Sequence, residues 1–165
     1  MNAIVDTPRL IVRLFKAGEE EIYLSLFEDK RVLLYIPDRG REEHITIFRH
    51  HLAEVPGSVM GRWGIFNKTD GDFIGMCLLR HFDDGTDSIE LGYVLHHNYW
   101  GKGIASEMAA ALLAWAANIA PDAEFVAVTD LANLPSQRVL EKVGMQRERN
   151  YFRHDEELAF FRLKK

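Results

Sequence analysis

The sequence is poor in cysteine, in long apolar runs and in positive charge, and each shortage removes a class of protein. Its single cysteine, Cys77, cannot close an internal disulfide, which fits a reducing cytosol. Cys77 lies in an apolar segment and reads as a small buried hydrophobe rather than a nucleophile. No stretch approaches the ~18 consecutive apolar residues of a membrane span. The start, Met1-Asn2-Ala3-Ile4-Val5-Asp6, has no basic region followed by an apolar one, so no secretion signal is expected. A cytoplasmic protein without a membrane partner is the expectation. The net charge of −5, with no basic stripe, argues against nucleic acid as a partner. Any anionic ligand must then be held by local geometry. Internal repeats, low-complexity tracts and linkers are also missing.

What is present is ordinary for one globular domain: 165 residues, 47% hydrophobic and 27% charged. Thr7 to Lys16 alternates as a strand, with Leu10, Val12 and Leu14 on one face. The spacing predicts helices over Gly18 to Glu28 and Arg41 to Glu54, the second with Ile45, Phe48 and Leu52 inward. Val32 to Ile36, stopped by Pro37, reads as a short irregular helix or turn. The period then changes to two. Met60 to Asn67, Asp72 to Phe82 and Asp87 to Leu95 are strands separated by the turn sequences Lys68-Thr69-Asp70-Gly71 and Asp83-Asp84-Gly85-Thr86. A helix is expected from Ala105 to Ile119, with Met108, Leu112 and Ile119 among its apolar positions. A buried strand over Glu124 to Val128 follows, then a helix from Leu134 to Val143. Pro135 suits that helix's first turn, and Gly144 its left-handed cap. Met145 to Arg153 and Glu157 to Leu163 read as a closing strand pair. The sum is a single three-layer α+β domain, residues 1–165, around a mixed sheet.

Chemistry concentrates between Ile89 and Ile119, where an apolar strand runs through Trp100-Gly101-Lys102-Gly103-Ile104-Ala105 into a helix. The first turn of a helix has N–H groups without intrahelical partners, and the helix dipole places partial positive charge there. Glycines let the preceding loop bring further N–H groups close to a phosphate. A P-loop does not fit, because four residues must separate its first glycine from Gly-Lys-Ser/Thr. The dinucleotide fingerprint is half met, with Gly101 and Gly103 but Ser106 in the third glycine place. That fold begins with its fingerprint, whereas here the loop follows a meander with about 60 residues left, so a nicotinamide-dependent oxidoreductase is disfavoured.

At this loop the chain resembles the GNAT N-acetyltransferases. Trp100-Gly101-Lys102-Gly103-Ile104-Ala105 matches their acetyl-CoA motif, Gln/Arg-x-x-Gly-x-Gly/Ala, from Gly103 onward. Asn133-Leu134-Pro135-Ser136-Gln137-Arg138-Val139-Leu140-Glu141-Lys142-Val143-Gly144-Met145 resembles their Asn-x-x-Ser-x-x-Val-x-Glu-Lys-x-Gly-Phe block. Thr7-Pro8-Arg9-Leu10-Ile11-Val12-Arg13 is similar to the opening strand of the ribosomal-protein-alanine N-acetyltransferase (RimJ/RimL-like) branch. The resemblance implies a GNAT-like α/β/α domain whose mixed, mostly antiparallel central sheet is splayed at the cofactor site. Two positions depart from the wider family. Trp100 stands where many members have Gln or Arg, and Leu140 where many carry the tyrosine thought to protonate the departing thiolate.

Acetyl transfer from a thioester to an amine needs a held cofactor, a neutral amine, a stabilised oxyanion and a proton for the thiolate. The resemblance assigns the cofactor, acetyl-CoA as co-substrate, to Trp100, Gly101, Lys102, Gly103, Ile104, Ala105 and Ser106 for its pyrophosphate. Backbone groups of Tyr93, Val94 and Leu95 would pair with its pantetheine arm, one N–H there polarising the thioester carbonyl. Asn133 would contact the cofactor, or cap its helix, or both. Lys102 would add charge at the rim, or stay solvated. Glu90, a charged residue within an apolar strand and on the face of Gly92, is the candidate base. A carboxylate set among apolar residues binds a proton more readily, which suits that task; a strand Glu paired across the hairpin is the equal alternative. Ser136 is the candidate proton donor, also placed at the cofactor, with Tyr99 and Tyr151 behind it.

Other polar clusters read as structural. His50-His51 with Glu54, and His96-His97, lack zinc-site spacing and a third ligand, so no metal is expected. Asp83-Asp84-Gly85 is turn chemistry. Tyr35, Trp63 and Phe66 fit core packing better than an acceptor pocket. The expected function is acetyl-CoA-dependent N-acetyl transfer to a primary amine, either a protein N-terminal α-amine or a small molecule. The alternative is a non-catalytic acyl-CoA-binding sensor module, which the missing tyrosine would permit. The acceptor should be set by Arg31 to Met60 and Arg147 to Asp155, which carry no motif. A homodimer is compatible with the chain, which holds nothing that decides the oligomeric state.

Overall fold

The meander predicted between Met60 and Leu95 forms the middle of one nine-stranded sheet in the computed structural model, which describes residues 3–53 and 56–164. The strands are β1 (Ala3–Asp6), β2 (Leu10–Arg13), β3 (Gly61–Asn67), β4 (Phe73–His81), β5 (Ile89–Leu95), β6 (Phe125–Asp130), β7 (Met145–Arg147), β8 (Tyr151–Arg153) and β9 (Glu156–Leu163). The helices are α1 (Glu20–Ser25), α2 (Gly40–Leu52), α3 (Ile104–Ile119) and α4 (Leu134–Lys142), with 3-10 turns over Val32–Tyr35 and His97–Tyr99. Sheet order is β1-β2-β3-β4-β5-β6-β9-β7, and β8 pairs with the other end of β9. Among the described residues only β5 and β6 run parallel, because α3 carries the chain across between them.

The two faces of the sheet bury different layers. Ile89, Leu91 and Leu95 of β5 pack with Met108 and Leu112 of α3 and Leu140 of α4. On the other face Met76 of β4 packs with Phe15, Tyr23, Leu24 and Phe48 beneath α1 and α2. Each such apolar side chain, fully withdrawn from water, contributes roughly 1.5–3 kcal/mol before its entropy cost. Phe82, Val126 and Phe160 form a third, smaller cluster. The three-layer expectation holds.

Local differences from the sequence expectations have identifiable causes. The first helix is shorter than Gly18 to Glu28, because Leu26, Phe27 and Glu28 turn their N–H groups to carbonyls three residues back rather than four. In α2 Phe48 and, partly buried, Ile45 face inward as expected, joined by His44 and His51, whereas Leu52 is 41% exposed. His44 lies flat on Phe27, ring centroids 3.6 Å apart, so an uncharged imidazole packs as an aromatic. Ile119 is exposed at the end of α3. The strand expected from Met145 to Arg153 is broken into β7 and β8, and β1 adds an edge strand. Trp63 and Phe66 are buried and Tyr35 is half-buried. Among the described residues no helix is long and apolar enough to cross a membrane.

Candidate active site

β5 and β6 register at only two positions, Ile89↔Phe125 and Glu90↔Val126, and then part. On its other side β5 stays paired with β4 through Leu95. Ile89 donates its N–H to Glu124 O on the β6 side, and His96 donates to Ile74 O on the β4 side. Alternation along an extended strand therefore aims the N–H and C=O of Tyr93 and the N–H of Leu95 into the opening. Trp100 Nε1 takes up Leu95 O at 2.9 Å, which ties the loop to the strand end. Trp100 itself is 42% exposed and rests against His97.

The glycine loop lies at the same end. Gly101 and Gly103 have φ of +68° and +75°, a backbone region that strains any residue with a Cβ. Gly103 is the N-cap of α3 and offers no capping side chain. The first helical bond is Glu107 N–H to Gly103 O at 3.1 Å. Among the described residues the N–H groups of Ile104, Ala105 and Ser106 have no acceptor in the protein. An anion would supply it. Lys102 is exposed, its Nζ 5.8 Å from the Tyr99 ring centroid.

Two sequence candidates meet across the opening. Tyr93 Oη donates to Ser136 Oγ at 3.2 Å, joining β5 to the first turn of α4. Ser136 N–H donates to Asn133 Oδ1 at 3.2 Å, so Asn133 caps α4. Burial raises Tyr93 above the ordinary tyrosine value, keeping it protonated. Tyr93 was expected to act through its backbone alone; its hydroxyl was missed because nothing local reveals a partner 43 residues away. Val94 points to the opposite face, packed against the α1/α2 cluster. Leu140, at the family's tyrosine position, is buried in the core.

Glu90 is held apart from this pair. It is 4% exposed and accepts bonds from Arg80 Nε (3.0 Å) and Nη2 (3.1 Å), and from Arg153 Nη2 (3.0 Å) and Nη1 (3.3 Å). Arg80 stands directly opposite on β4, so the cross-hairpin partner exists, but the carboxylate is buried rather than facing solvent. Both of its oxygens are engaged. Tyr151 Oη donates to Asp83 Oδ1 at 3.2 Å, and Asp83 also binds Arg153. Tyr151 thus belongs to this ion-pair cluster at the start of β5, away from the glycine loop. Tyr99 is half-buried beside the loop. Among the described residues no group of three or more His, Cys, Asp or Glu could hold a metal. His51 is buried against Phe15 and Tyr23, and His96 Nε2 meets Ser25 Oγ at 3.1 Å. Glu54, the third member of the first cluster, lies outside the described residues.

A helix end with free N–H donors beside a split strand pair has the chemistry to accept an anionic ligand and room for an extended arm between two strands. The sequence matches the acetyltransferase (GNAT) domain family over residues 9–146, so the chain belongs to the GNAT acetyltransferases, whose acetyl donor is acetyl-CoA. It is 29% identical over 146 residues to the uncharacterized N-acetyltransferase YnaD of Bacillus subtilis, covering 87% of this chain and 83% of that protein. The fold is similar to that of an acetyltransferase from Agrobacterium tumefaciens, with TM-score 0.83 at 24% identity over 98% of this chain and 94% of the other. It is also similar to RimL, a ribosomal L7/L12 α-N-protein acetyltransferase solved with coenzyme A. There the TM-score is 0.80 at 15% identity, covering 98% and 97%.

Proposed function

We propose that this acetyltransferase acts on a primary amine, with a protein N-terminal α-amine as the acceptor class favoured over lysine or small molecules. The observation that carries the transfer chemistry is the Tyr93–Ser136 hydroxyl pair at the strand opening. Acetyl-CoA supplies a thioester acetyl group; the reaction forms a C–N bond, breaks a C–S bond, and moves one proton off the amine and one onto the thiolate. The N–H groups of Ile104, Ala105 and Ser106, with the loop from Trp100 to Gly103, hold the pyrophosphate. The Tyr93 N–H is aimed at the acyl carbonyl and polarises it. Because Tyr93 donates its proton to Ser136 Oγ, the Ser136 hydrogen is free to face the sulfur. Ser136 is the proton donor and Tyr93 its replenishing partner.

The engaged state of Glu90 supports the acceptor class. A carboxylate whose two oxygens are both taken up by guanidinium groups turns neither of them to an amine, and its place is better read as a strut between β4, β5 and β8. An acceptor that is already partly neutral needs less help. Protein α-amines titrate near 7.7–8.0, lysine only near 10.4. The expectation of RimJ/RimL-like chemistry agrees with this. The test is CoA release across peptides with free N-termini, N-acetylated lysine peptides, polyamines and aminoglycosides. Turnover on peptides with free α-amines is expected. Preference for lysine or an aminoglycoside would overturn the acceptor class, and tight donor binding without turnover on any acceptor would restore the sensor reading.

A further inference from the structure

The first turn of α3 carries a carboxylate that should oppose an anion there. Glu107 lies one residue beyond the three free N–H groups, where a negative charge lowers the positive potential of the helix end. Its oxygens are nevertheless fully occupied from the other end of the chain. Thr7 Oγ1 donates to Oε1 at 2.6 Å, the Arg9 backbone N–H to Oε1 at 3.1 Å, and Arg9 Nε to Oε2 at 2.6 Å. Arg9 also reaches the loop itself. Its Nη1 donates to Lys102 O at 2.9 Å, and its Nη2 lies 3.5 Å from where a Cβ on Gly103 would stand. A trans peptide points its C=O and N–H in opposite directions, so holding the Lys102 carbonyl sets the direction of the Gly103 N–H.

We propose that Arg9 is a positioning residue of the cofactor cradle, cancelling the charge of Glu107 and fixing the Lys102–Gly103 peptide so that the loop's N–H donors face the phosphates of acetyl-CoA. The segment Thr7-Pro8-Arg9 thereby closes one side of the cradle from almost a hundred residues away. It is set for this by its own turn. Thr7 N–H bonds Leu10 O at 2.9 Å and Leu10 N–H bonds Thr7 Oγ1 at 2.9 Å, so the approach of Arg9 to α3 is pinned where β2 begins.

The proposal rests on the reading that this loop holds the pyrophosphate, and the experiment separates the two. Steady-state kinetics with acetyl-CoA and with S-acetylpantetheine, which lacks the phosphates, are compared for wild type, Arg9→Gln, Glu107→Gln and the double variant, each checked for folding by thermal melting. The wild type is expected to favour acetyl-CoA strongly. Arg9→Gln should raise KM for acetyl-CoA about tenfold, at nearly constant kcat and with no effect on S-acetylpantetheine. Removing the opposed charge as well, in Arg9→Gln/Glu107→Gln, should recover most of that loss. If Arg9→Gln leaves KM for acetyl-CoA unchanged, the role of Arg9 is overturned, and if the double variant binds no better than Arg9→Gln, its charge-cancelling part is overturned. If the wild type uses both donors equally well, the phosphate reading of the loop itself fails.

Discussion

Lowering the pH is expected to loosen the α1/α2 layer through His51, by an amount that can be worked from its surroundings. His51 is 3% exposed, and Arg62 Nη1 points at its Nε2 from 3.0 Å. A guanidinium can only donate, so Nε2 is the acceptor and the proton of the neutral ring sits on Nδ1. A second proton would have to enter at Nε2, facing that cation. Burial first, then Arg62, then His50, push the His51 value down from 6.5 to about 3. The unfolded chain binds this proton near 6.5 and the folded chain only near 3. Between those values the unfolded state holds more protons, so stability rises with pH and is lost as pH falls. Integrating the linkage from pH 7.5 to 5.5 gives a loss of roughly 1.4 kcal/mol for this one group. Glu19, Asp29, Asp83 and Glu107 all sit below their ordinary values in the folded chain, so their losses come mainly at lower pH. Urea unfolding of wild type and His51→Leu at the two pH values isolates the effect. The variant loses the Arg62 bond at both, so only the pH-dependent difference matters. It should shrink by about 1.4 kcal/mol. His44, also lowered by burial, leaves part of the slope in place. An unchanged pH dependence in His51→Leu would refute the reasoning.

Two further outcomes test the site. Ser136→Ala should lower kcat by about 10- to 100-fold with little change in donor KM, and adding Tyr93→Phe should cost no more than the single change, since the two act in series. Additive losses would show that they act separately. Glu90→Gln should destabilise the fold by about 2–4 kcal/mol by leaving Arg80 without its carboxylate and Arg153 with Asp83 alone, a figure reduced because Arg80 is partly exposed. Full stability with abolished turnover, in melts run beside the kinetics, would instead return Glu90 to the role of base.

Local order was legible wherever a short stretch of chain decides it. The turn sequences at Lys68 to Gly71 and Asp83 to Thr86 delimit β3, β4 and β5 as read, and the glycines before α3 adopt the positive φ their place requires. On α2 Ile45 and Phe48 face inward as read, but His44 and His51 stand there where Leu52 was expected, because a neutral imidazole stacked on Phe27 or packed near Phe15 behaves as an aromatic. Pattern also ranks Glu90 only as an odd charge in an apolar strand. The two guanidinium groups that decide its role arrive from β4, whose register with β5 the hairpin sets, and from β8, which reaches Glu90 only after the chain has crossed the sheet again.

By itself, then, the sequence determined the elements and the glycine loop before α3, since helix ends, glycine turns and period-two alternation depend on residues a few positions apart. The tertiary structure alone decided which side chains are free to do chemistry. Tyr93 meets Ser136, Arg9 meets Glu107, and Arg153 meets Glu90 across separations of 43, 98 and 63 residues. Hydrogen bonds and charge pairs act over a few ångströms of space, a distance that spacing along the chain does not encode.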